Sequence, residues 1–332
     1  MTQILFDDIG SYPLPRGILL EGLSPDAYAT LVRECMEQKL AAGVEVPTYP
    51  QFRDMIDMFM KPIESPDESE SPYIVRKEAA EIEELNALEP LAISRGGPLR
   101  LRVCVTGPVE LYLSAFGATS YTDILFNLAT SVARFLERAK EVPFLDVAVA
   151  SLDEPSLGIS PSIIFEEDDL SKALEIASEP CKDIDCEIHL HSPLYAELCC
   201  RVPGINIVGV ESATHPDYLK LIDRSILDET DSYLRAGIAR TDILSMVAGL
   251  NDRLGLNLWT EPKRLEMEIS RAESPSVLEG RLSRAYAQFG DRIRCAGPDC
   301  GLGSWPSQEL ARGLLGNCSQ ALASFRQRAG PR

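Results

Sequence analysis

Residues 186–211 read CEIHLHSPLYAELCCRVPGINIVGVE and hold the repeating unit of the fold. Cys186–His191 and Asn206–Glu211 are short apolar, β-branched runs, each of which fits a strand. Working outward, the same kind of run recurs at Ile4–Ile9, Val44–Thr48, Arg100–Val105, Asp146–Leu152, Tyr233–Ala239 and Arg292–Ala296, which makes eight. Between such runs lie segments with apolar residues at three- and four-residue spacing. Pro25–Ala42 behind the cap Ser24, Tyr73–Ile93, Asp123–Lys140 and Ser276–Phe289 are examples. Eight β/α alternations predict one closed (β/α)8 barrel, a single domain over residues 1–332. An open doubly wound sheet would want a glycine-rich phosphate turn, and the first strand ends instead in Gly10-Ser11-Tyr12-Pro13.

The barrel sets where chemistry should lie, because functional side chains collect just after the C-terminal ends of the strands. Ser11, Thr106, Asp153-Glu154, His189, His191, Glu211 and Asp299-Cys300 all fall there. In Cys186–His191 the two histidines stand two residues apart, so a strand projects both imidazoles to one side. Zinc takes about four N, S or O ligands at roughly 2.0–2.3 Å. His189 and His191 supply one or two of these. Glu211 is a neighbour by topology, and Cys300 can complete the set across the mouth. The alternatives are two ordinary hydrogen-bonded histidines and a buried structural cysteine. Asp153 and Glu154 can bind an ammonium group or cap a helix ahead of Pro155. Ile9-Gly10-Ser11 can hold a carboxylate or be a plain turn. His215 reads as a loop residue.

Composition narrows the partners. Thirty-two basic against 51 acidic side chains give a net charge of −19, which repels phosphate backbones and argues against nucleic acid. Part of this excess is local: Glu64–Glu89 holds nine acids against Arg76 and Lys77, and residues 61–90 read as a solvated loop and helix insertion. No run approaches the roughly 20 apolar residues of a membrane span, and the N-terminal stretch lacks the features of an export signal. Nine cysteines without a short-loop framework predict a reducing, cytoplasmic setting with most thiols in the core.

Taken in order, IGSYP at Ile9–Pro13, RDMIDMF at Arg53–Phe59, VTGP at Val105–Pro108, LDEPSL at Leu152–Leu157, HLH at His189–His191, VGVESA at Val208–Ala213 and PDCGL at Pro298–Leu302 resemble the catalytic half of the cobalamin-independent methionine synthase family. The resemblance implies a barrel whose zinc activates a thiol for methylation, with homocysteine as acceptor. It implies zinc ligands at His189, His191, Glu211 and Cys300, and substrate contacts at Ile9, Gly10, Ser11 and Asp153. Three positions depart from the family. Its His-x-Cys is His189-x-His191 here. Its glycine-acid segment is Thr48-Tyr49-Pro50-Gln51. Its late proton-donating histidine has no counterpart, and Asp242 is the nearest candidate. The chain has no room for the family's second barrel and is similar to a compact form, which implies a methylated corrinoid or corrinoid protein as donor rather than methylfolate. Relatives that alkylate coenzyme M, and a non-catalytic zinc- or corrinoid-binding role, are the competing expectations.

Overall fold

The computed structural model describes residues 3–329. Its strands are β1 (Leu5–Phe6), β2 (Ser69–Ser71), β3 (Ile74–Val75), β4 (Leu99–Thr106), β5 (Leu145–Asp153), β6 (Asp185–Leu190), β7 (Ile207–Val210), β8 (Tyr233–Ala239) and β9 (Ile293–Pro298). Seven of them form one curled parallel sheet in the order β1-β9-β8-β7-β6-β5-β4, with helices in the connections. Seven of the eight expected strands are therefore ladder strands.

The remaining one, Val44–Thr48, lies between the two edges of that sheet. It pairs only through isolated parallel bridges, Asp7 with Val46 beside β1 and Thr48 with Arg102 in β4. Val46 donates to the Phe6 carbonyl at 3.0 Å, and Arg102 donates to the Pro47 carbonyl at 2.9 Å. Pro47 and Pro50 have no N–H to donate, so a continuous ladder cannot form here. The barrel is closed by a run of single contacts rather than by an eighth regular strand.

The helices follow the apolar stripes. Thr122–Lys140 buries Leu125, Leu128, Ala129, Val132, Phe135, Leu136 and Ala139, one face of a helix. Pro25–Ala41 starts where Ser24 accepts the Ala27 N–H. Tyr73–Ile93 is not one helix. Its first part holds Tyr73, at φ 62° in the turn of the β2–β3 hairpin, then β3 and a short 3-10 turn; the helix begins at Glu83. The hairpin is pinned to Thr122–Lys140, where the Ser131 hydroxyl donates to the Tyr73 carbonyl at 2.7 Å and accepts the Val75 N–H at 2.9 Å. Acids of the hairpin and of the turn after it are partly matched there, by Arg134 with Glu70 at 2.6 Å, and Arg138 with Glu81 at 2.9 Å.

The barrel interior is not wholly apolar. Arg102 on β4 and Arg235 on β8 are fully buried with Asp7 and Glu187. Arg102 meets Asp7 at 2.8 Å and Glu187 at 2.5 Å, while Arg235 meets Asp7 at 2.9 Å. Two cations face two anions, so the layer carries no net charge. Gly209 on β7 makes room for it: a Cβ there would sit 2.2 Å from Glu187 Oε1.

Candidate metal centre

Strand β6 carries Glu187 and His189 on its inward side and ends at Leu190, so His191 stands just beyond it at the mouth. His189 is 2 % exposed and His191 is half-buried. The rings lie 5.4 Å apart between centroids and nearly perpendicular. Across the mouth, Cys300 follows β9 and brings Sγ to 3.7 Å from His191 Nε2. One ligand atom each from His189, His191 and Cys300 falls within 4.8 Å of the others. Glu211, just past β7, reaches His191 Nε2 at 3.6 Å but stands outside that three-atom group.

The electrostatics are those of a site lacking positive charge. Burial, reinforced by Glu211, pushes the Cys300 thiol up to about 12. Burial, with Asp299 and Asp242 nearby, raises Glu211 to about 7. Burial lowers His191 and drives His189 well below the usual histidine range. Neither ring nitrogen of His189 has a hydrogen-bond partner, although both are buried. A desolvated imidazole with two orphaned nitrogens is costly unless something binds it. Two imidazoles, a thiol and a carboxylate are the donor set that suits zinc, and the residues fit that ion.

Asp153 closes β5 and pairs in register with His189. It is 7 % exposed, and burial raises its carboxyl to about 6 against the pull of Arg102. Arg102 donates to Ser151 Oγ at 2.8 Å, and Ser151 donates onward to Asp153 at 2.7 Å. Glu154 does something different. Its carboxylate accepts the Val109 and Glu110 N–H groups at 2.9 and 2.7 Å, which caps the helix Pro108–Phe116. The acidic pair thus divides into one group facing the mouth and one structural anchor.

Ser11 is more than a turn residue. Its Oγ accepts the Gly303 N–H at 3.1 Å, and its carbonyl accepts the Leu302 N–H at 2.8 Å. A Cβ on Gly301 would lie 2.0 Å from Ser11 Oγ, so only glycine permits this approach. Ser11 clasps the loop that carries Cys300 and keeps its own O–H free to donate. Ile9 is buried, and Gly10 packs on Gln51, whose Oε1 would sit 1.8 Å from an added Cβ. Gln51 donates to the Tyr49 hydroxyl at 2.8 Å.

Asp242 does not suit the role of proton donor expected of it. Arg240 grips its carboxylate at 2.9 and 2.6 Å and Thr214 donates at 3.2 Å; despite partial burial, these partners hold the group below its ordinary range. An acid held ionised has no proton to give. His215 stacks on Tyr218 at 4.7 Å, outside the cluster.

Some residues escaped the sequence reading. Lys39 is fully buried, paired with Asp8 at 2.7 Å and donating to the Thr48 carbonyl at 2.9 Å, and so steadies the loop after β1. Its signal was a lysine on the stripe of Val32, Cys35 and Met36. Arg102, Arg235 and Glu187 were signalled as charges inside otherwise apolar strand runs. The nine cysteines are all free, and only Cys300 is more than slightly exposed.

No family profile matches the chain. No curated protein sequence matches it either. Solved structures do match in fold. A B12-independent methionine synthase from Shewanella sp. W3-18-1, in complex with selenomethionine, superposes with TM-score 0.65 at 12 % identity over 98 % of this chain and 99 % of its own. A putative vitamin-B12 independent methionine synthase from Listeria monocytogenes gives 0.62 at 12 % identity over the whole of both chains. A GH5_18 protein from Streptomyces cattleya, in complex with GlcNAc, gives 0.54 at 12 % identity over the whole of this chain and 82 % of its own. At such identities the likeness is one of fold.

Proposed function

We propose that the protein is a zinc-dependent methyltransferase that moves a methyl group onto the thiol of an amino acid, homocysteine, to give methionine. The observation that carries this reading is His189, buried with both ring nitrogens unpartnered, meeting His191 and Cys300 within 4.8 Å at the barrel mouth. His189, His191 and Cys300 would hold the ion, with Glu211 joining from beside His191. A zinc ion bound there would hold the acceptor sulfur as thiolate, the nucleophilic form.

The chain's own groups handle the rest of the substrate. Asp153, in register beside His189, offers a carboxylate to an ammonium group. The O–H of Ser11, with the backbone at Ile9 and Gly10, offers donors to a substrate carboxylate. Positioning both ends of the amino acid fixes where its sulfur lies, and orientation is a large part of such a barrier. Ser11 also ties the substrate end of the site to the Cys300 loop.

The fold neighbours named as methionine synthases support this reaction class, and their names are of B12-independent proteins. They lend nothing to the corrinoid donor expected from the chain's compact length, so the assay sets methylcobalamin against methylfolate. Among the described residues no helix is long and apolar enough to cross a membrane, and nine free thiols agree with a cytoplasmic site of action.

The test is elemental analysis of the purified protein followed by methionine formation from homocysteine with each donor. One zinc per chain and methionine from one donor is the expected result. Absence of stoichiometric zinc uptake, or retained zinc after Cys300→Ser combined with His189→Ala, rejects it.

A further inference from the structure

Beneath the candidate ligands, two buried polar atoms face each other without partners. Glu187 Oε1 lies 3.9 Å from His189 Nδ1, and neither atom has a hydrogen bond. The other oxygen of the same carboxylate is fixed: Arg102 holds Oε2 at 2.5 Å, with Arg235 Nε at 3.8 Å. All of these side chains are fully or almost fully buried, so no solvent competes for the free oxygen. Gly209, the register partner of His189 on β7, leaves the space that Oε1 occupies.

We propose that Glu187 is a positioning residue for His189: its free oxygen, 3.9 Å from Nδ1 and so within electrostatic reach but short of a formed hydrogen bond, draws the ring hydrogen to Nδ1 and favours the tautomer whose Nε2 is open to a cation. This rests on the metal-site reading above. A ring nitrogen opposite a metal-bound one generally donates to a carboxylate, carbonyl or water, which sets the ring's orientation and basicity. Among the described residues, Glu187 Oε1 is the carboxylate oxygen paired with Nδ1. The Arg102–Asp7–Arg235 cluster acts as its mount, with Arg102 holding Oε2 and leaving Oε1 to face the ring. No covalent or redox step is involved. The effect is one of tautomer and aim.

The experiment uses the full chain labelled with 15N, metal-free and loaded with zinc alone, and reads the His189 ring by long-range 1H–15N correlation. The expected result is the Nδ1–H tautomer in both states, with the Nε2 shift moved by zinc. Glu187→Gln is expected to weaken zinc roughly 10–100-fold in competition with a chelator and to mix the tautomers of the metal-free ring. Gly209→Ala, which keeps the charge but displaces Oε1, is the second variant and should weaken zinc in the same sense. Zinc on Nδ1 with Nε2–H in the wild-type chain overturns the proposal, as do unchanged affinity and unchanged tautomer in the folded variants. If the wild-type chain takes up no zinc yet shows an Nδ1–H tautomer that Glu187→Gln abolishes, the positioning role stands and the metal reading fails.

Discussion

Two polar layers sit one above the other inside this barrel, and they are built on opposite principles. The lower one, Asp7, Arg102, Glu187 and Arg235, is fully buried and charge-balanced. The upper one, His189, His191, Cys300 and Glu211, brings two imidazoles together with two acids, and burial opposes the charged form of all four. Strand β6 supplies both layers, through Glu187 and His189, only two residues apart. The first arrangement sets cationic side chains against carboxyls, whereas the second holds no cationic side chain and leaves both ring nitrogens of His189 without a partner. Burial of polar groups therefore does not mark a functional site by itself. An unbalanced group of them does.

The sharpest way to break this contrast is to remove one charge from the lower layer. Arg102→Met leaves Asp7 and Glu187 facing Arg235 alone, and should cost about 3–5 kcal/mol in denaturant unfolding. His189→Leu in the upper layer replaces an unpartnered ring with an apolar group, and should leave metal-free stability unchanged or raised. Equal losses in both would erase the distinction. Zinc addition should act only on the upper layer. At a free concentration about 100 times Kd it should stabilise the wild-type chain by about 2.7 kcal/mol, read as a rise in Tm, and stabilise Cys300→Ser far less.

Asp153 is a smaller case of an uncompensated group. Its buried carboxyl is raised to about 6, above the unfolded value near 3.9. Its contribution is thus present in full below pH 4 and is lost as pH rises through 6. Asp153→Asn should therefore stabilise the protein at pH 7 by about 1–3 kcal/mol, with the gain vanishing toward pH 4 and methyl transfer impaired. A gain independent of pH would mean that burial does not strain this group. The smallest effect belongs to the clasp between the layers' outer loops: Ser11→Ala should cost about 1 kcal/mol and loosen the Cys300 loop, measurable as faster amide exchange at Gly303.

Much of the barrel was legible because its strands are apolar runs with clear ends; Tyr233–Ala239 is found where the sequence puts it. Val44–Thr48 was read as a strand like the others because composition does not show what Pro47 and Pro50 do to a ladder. The β2–β3 hairpin escaped because its strands are short and its sequence, Ser69-Glu70-Ser71, is polar. Of the site, the histidine pair and Cys300 were legible by type and spacing. Arg102, Arg235 and Glu187 were not, because a charge normally points to solvent and only partners distant in sequence make burial tolerable. Asp242 is held below the ordinary carboxylate range for a local reason the spacing did not show: Arg240, two residues away, pairs with it.

The clasp between Ser11 and Gly303 has a bearing on how the protein is made. The clasp joins segments 292 residues apart, so its two halves are synthesised at widely separated times. A nascent polypeptide interrupted before Cys300 lacks both the sulfur of that residue and, a few residues on, the clasp. The group formed by His189, His191 and Cys300 is thereby completed only in chains long enough to finish the mouth.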